Sequence, residues 1–116
     1  MDKKKSKKNI DLIKKLLNNN LKMISFFQAD LTKYKILLMV MLSHYSGQQA
    51  TIEKIIEDLP LIISSRAHKL NCISDATARG YLIKEISKSD LRKKNLIPSQ
   101  DLINEFEEYL KILSNI

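Results

Sequence analysis

Apolar residues recur at helical spacing from the start of the chain. Ile10, Ile13, Leu16, Leu17, Leu21 and Ile24 predict a helix from about Asn9 into the Phe26 region. Asn18-Asn19-Asn20 weakens its middle, because asparagine is a poor helix-interior residue, and can split it. Asp30 is the N-cap of a second helix reaching Tyr45, in which every residue from Ile36 to Leu42 is apolar. A helix apolar all round predicts burial on several sides, as the central support of a domain. Ser46-Gly47 ends it. Thr51 then caps a short helix with Ile52, Ile55, Ile56 and Leu59 on its apolar face, Glu53 in its first turn and Pro60 at its close.

Leu61-Ile62-Ile63 returns the chain to the core, and Ser64-Ser65 caps a longer helix that runs to Arg79. A short helix, a tight connection and a longer helix make the helix-turn-helix order. Gly80 stops the helix. Tyr81 to Ile86 and Arg92 to Ile97 follow as extended segments, with Ser87-Lys88-Ser89-Asp90 between them as a hairpin tip. From the N-cap Ser99, helical spacing resumes through Leu102, Ile103, Phe106, Tyr109, Leu110, Ile112 and Leu113. That is more apolar surface than one helix face needs, and it predicts a partner, most economically a second copy of the chain.

Composition narrows the function. The 116 residues suit one domain with a modest core, and 44% hydrophobic with 28% charged residues is a soluble globular balance. Twenty Lys+Arg against 13 Asp+Glu leave a net charge of +7, which favours a polyanionic partner, nucleic acid above all. Met1 to Lys8 is a charge run, read as a basic flexible tail with no secretory apolar region after it. The longest apolar stretch is too short to cross a bilayer, and Cys72 has no cysteine to pair with, so a cytoplasmic protein is expected. There is no glycine-rich phosphate loop, nucleophile elbow or His-Glu-x-x-His, so no enzyme is expected. Neither His44 nor His68 has a partner at ligand spacing, so no metal or other cofactor is expected either.

Gly80, Leu82, Ile83, Ser87, Asp90, Arg92 and Pro98-Ser99 together resemble the winged helix of MarR-type bacterial transcription regulators. In that family a glycine ends the recognition helix, an apolar strand follows, the hairpin carries an Asp-x-Arg signature, and a Pro/Leu-Ser/Thr pair opens the next helix. The resemblance spans residues 30 to 116. It implies a mainly α fold with a small β-hairpin, a winged helix-turn-helix flanked by N- and C-terminal helices, forming a single domain over residues 9–116. It also implies a homodimer built through the terminal helices and bound to double-stranded DNA as a transcriptional regulator.

Counted back from Gly80, the resemblance implies Cys72, Ile73 and Ala76 as core positions of the recognition helix. It puts Lys69 on a boundary position that is apolar in the family, which predicts a rotated or half-exposed helix start with Leu70 taking over the packing. On this reading the recognition helix offers Ser64, Ser65, Arg66, His68, Lys69 and Asn71 to DNA. The wing offers Lys84, Lys88, Arg92, Lys93 and Lys94, with Lys88 reaching a minor groove and Asp90 holding the hairpin. Arg66 is the best single base-reading candidate, suited to a guanine edge, with a phosphate contact or a surface salt bridge as the equal alternative. Cys72 is read as a small buried hydrophobe rather than a redox sensor. Two rival functions remain: a plasmid partition or replication protein on the same fold, and a protein-interaction module that has lost DNA binding.

Overall fold

The structure, a computed structural model, describes residues 2–17, 21–60 and 64–114. Its elements are α1 (Lys3–Leu17), α2 (Lys22–Gln28), α3 (Leu31–Ser46), α4 (Ile52–Asp58), α5 (Arg66–Ala78), β1 (Leu82–Ile86), β2 (Lys94–Pro98) and α6 (Gln100–Leu113). The predicted first helix is thus two helices. The asparagine run and Leu61-Ile62-Ile63 lie outside the described residues. Lys3 to Lys8, expected as a tail, are the opening turns of α1. Lysine is a good helix former, and Asp2 Oδ1 accepts from Lys4 N at 3.0 Å at the start.

Short-range chemistry sets the other boundaries. Asp30, Thr51, Ser65 and Ser99 each accept a hydrogen bond from the backbone N–H three residues on, capping α3, α4, α5 and α6. Gly47 ends α3 with φ +68°. Gly80 ends α5 with φ +75°, its N–H donating to Thr77 O while Tyr81 N–H donates to Ala76 O. This is a Schellman closure, and its left-handed residue has to be small.

The core forms where α3 meets its neighbours. Ile36, Leu37, Val40 and Met41 of α3 pack with Ile24 and Phe27 of α2, Cys72, Ile73 and Ala76 of α5, Leu82 and Leu96 of the hairpin, and Leu102 and Phe106 of α6. One expectation fails here. Leu38 and Leu42 of α3 are 42% and 70% exposed, so the helix is buried on one side and open on the other. The domain is too small to wrap it.

β1 and β2 pair antiparallel, with Leu82 opposite Pro98 and Ile86 opposite Lys94. Thr51 bridges to Asn95, and Leu96 N donates to Ala50 O at 2.8 Å, so the sheet is anchored beside the start of α4. No helix among the described residues is long and apolar enough to cross a membrane.

Candidate nucleic-acid interface

Ser65 caps α5, which packs against α4, and Ser65, Arg66, Ala67 and His68 at its N-terminal end are exposed. Cys72, Ile73 and Ala76 face the core. The opposite side therefore carries Ala67, Leu70, Asn71 and Ser74, all exposed. Arg66 extends into solvent and lies across to α4, where its Nη2 donates to Glu53 Oε1 at 3.0 Å and Oε2 at 3.2 Å. Both partners are more than half exposed, so the pair contributes at most about 1 kcal/mol and leaves the guanidinium free to exchange partners.

Three residues expected on the DNA face are committed elsewhere. Ser64 is buried. Lys69 is 1% exposed, and its ammonium donates to Ile56 O at 3.3 Å and Leu59 O at 2.7 Å. It thereby satisfies carbonyls at the C-terminal end of α4, where a cation also complements the helix dipole. Leu70, expected to replace it in the core, is instead 40% exposed. His68 turns sideways, with Nε2 3.0 Å from Asp30 Oδ2 and 3.6 Å from Cys72 Sγ.

Sequence reasoning passed over Ser74 and assigned Leu70 to the core. The signal was there: stepping about 100° per residue from the core positions Cys72, Ile73 and Ala76, backward to Leu70 and forward to Ser74, takes both off the core face. An exposed leucine at that place can meet a thymine methyl, and a serine can meet any base edge.

The hairpin tip is longer than expected, from Ser87 to Lys93. Asp90 causes this. Its Oδ1 accepts from Arg92 N at 3.0 Å and Arg92 Nε at 3.3 Å, and its carbonyl accepts from Lys93 N at 3.0 Å. Arg92 and Lys93 are thereby held in the turn, and β2 starts at Lys94. These bonds, with Lys93 close by, keep the Asp90 carboxyl below the usual carboxylate range. Ser87, buried at the root of the tip, donates from Oγ to Gln49 Oε1 at 3.2 Å and fixes the turn to the α3–α4 connection. Lys84, Lys88, Arg92, Lys93 and Lys94 are all exposed. Arg92, Lys93 and Lys94 share one cleft with Thr51, Ile52 and Glu53, so the basic end of the wing adjoins the helix whose glutamate holds Arg66. The arrangement is a continuous polar and cationic front, from α5 across the start of α4 to the wing.

No protein-family model matches the sequence, and no curated protein matches it. Solved structures do match in fold. A MarR-like transcription regulator from Bacillus cereus ATCC 10987 superposes with a TM-score of 0.57 at 17% identity, covering 97% of this chain and 76% of that one. The heme sensor protein PefR from Streptococcus agalactiae, in complex with heme, gives 0.51 at 18% identity, covering 97% and 77%. Both likenesses run through nearly the whole chain.

Proposed function

We propose that this chain, which has the winged-helix fold of MarR-like regulators, is a transcriptional regulator that binds double-stranded DNA as a homodimer. The observation that carries the reading is the juxtaposition of an outward α5 N-terminus with five exposed wing cations, on a chain of net charge +7. A helix end of that kind reads the major groove, and long cationic side chains beside it track phosphates. Arg66, Asn71, Leu70 and Ser74 are the base-reading candidates. Lys88, Arg92, Lys93 and Lys94 hold the backbone.

Dimerisation is supported by apolar surface that the protomer leaves uncovered. Ile10 and Ile13 on α1, and Leu110 and Leu113 on α6, are exposed, and α1 packs beside α6. The radius of gyration is 15.8 Å, above the about 13 Å of a compact chain this long, as expected of a helix awaiting a partner.

Binding of a random duplex pool at low and high salt tests the reading. A steep fall of log affinity with log salt, and enrichment of a two-fold symmetric site, are the expected results. Absence of duplex binding at low salt would leave the protein-interaction module as the better account.

A further inference from the structure

We propose that Asp30, His68 and Cys72 form a binding site for a zinc-type divalent transition metal, joining the start of α3 to the recognition helix. Their ligand atoms all lie within 4.8 Å of one another, although Asp30 comes from a different element. Tetrahedral zinc, with bonds of about 2.0–2.1 Å to N and O and about 2.3 Å to S, sets its N and O ligands about 3.3 Å apart and N and S about 3.6 Å apart. The observed separations are 3.0 Å from His68 Nε2 to Asp30 Oδ2 and 3.6 Å from Nε2 to Cys72 Sγ. The third pair, Asp30 and Cys72, lies within 4.8 Å against about 3.6 Å in a tetrahedral site, so closing the geometry takes a side-chain adjustment of up to about 1 Å.

The convergence on a single ring nitrogen is the deciding feature. In a nucleophile relay the imidazole takes the thiol on one nitrogen and the carboxylate on the other. Here both address Nε2. A neutral Nε2 can donate to Asp30 or accept from the Cys72 thiol, but cannot do both. A cation among the three satisfies all of them at once.

The surroundings suit such a site. Asp30 divides its oxygens, with Oδ1 accepting from Lys33 N at 3.1 Å to cap α3 while Oδ2 faces His68, so the cap orients the ligand. Cys72 is buried and His68 about half exposed, which gives the site a closed floor and an open side for entry and a water ligand. Cys72 enters the site as a buried free thiol. On binding, its S–H bond breaks, the proton goes to solvent and the sulfur pair bonds to the metal. His68 supplies the Nε2 lone pair, and Asp30 a carboxylate oxygen. Thiolate and carboxylate together neutralise the divalent charge, and no redox change is involved. A thiolate–imidazole pair selects against magnesium and calcium. The inference rests on these three side chains alone and does not depend on DNA binding.

The reduced full-length protein is titrated with Co2+ and then Zn2+ in the absence of DNA. The expected result is one equivalent of tetrahedral cobalt with a thiolate charge-transfer band, bleached by zinc, with about one proton released per ion. Cys72→Ser should remove the charge-transfer band. Asp30→Asn keeps a good helix cap and His68→Gln changes an exposed side chain, so both should fold, and each should weaken binding at least tenfold. His44→Gln should leave the titration unchanged. No cobalt spectrum at micromolar metal, or the same spectrum in wild type, Asp30→Asn and His68→Gln, would overturn the proposal.

Discussion

Two lysines of one sign do opposite work here, and their contexts say which is which. Lys69 is enclosed and bonded to two α4 carbonyls, whereas Lys93 is exposed on the wing. Lys69→Met fills the space but orphans those carbonyls, so it should destabilise the fold by about 1–3 kcal/mol in denaturant titration, with the salt dependence of DNA binding unchanged. Lys93→Ala should leave stability alone and reduce the slope of log affinity against log salt by about one. Arg66→Ala should cost about 1–3 kcal/mol on the preferred duplex and relax one base position, if its exchange from Glu53 brings it to a base edge. An equal loss on a scrambled duplex would make it a phosphate contact. The caps at Asp30, Thr51, Ser65 and Ser99 were legible in the sequence because each acts on a backbone group three residues away. Lys69 was misread, and the contact of His68 with Asp30 went unseen, because their partners sit in other elements, 38 residues distant for Asp30. The His68–Cys72 pair, one helical turn apart, was readable and passed over; Asp30 was not.

At the level of elements, the hairpin and the α5 terminus were predictable because glycine and an Asp-x-Arg turn act locally. The extent of α1 was not. Lysine-rich sequence reads equally as a solvated tail and as a solvated helix, and only tertiary placement separates the two. The open side of α3 was hidden for a related reason, since an apolar run reports preference for burial without saying what is available to cover it. Asp30 joins the α3 cap to pH. Burial works against its ionisation, but the Lys33 and Thr32 N–H groups and His68 outweigh it, and its carboxyl lies below the usual range. A group with a depressed folded pKa stabilises above its unfolded value and loses that contribution as pH falls through the folded one. Metal-free protein should therefore lose stability below the normal carboxylate range, and Asp30→Asn should flatten that acid limb in thermal melts.

For the whole molecule, the terminal helices decide assembly. Phe106 is part of the core, so a charge there would unfold the protomer rather than split a dimer. Leu110 and Ile13 are exposed and test the interface cleanly. Leu110→Asp with Ile13→Asp should give folded monomers by sedimentation and weaken binding to a two-fold site, and a wild-type monomer at micromolar concentration would sink the dimer. The same end of the molecule imposes an order on biosynthesis. α2 has Leu21 at its cap position and no side-chain cap, and its Ile24 N–H donates instead to Glu105 Oε2 at 2.9 Å. The acceptor is encoded 81 residues later, so at about 5–20 residues per second it emerges about 4–16 s after the donor. For that interval a nascent chain carries an uncapped helix with Ile24 and Phe27 unsheltered by α6, a window in which chaperones and proteases can compete with folding.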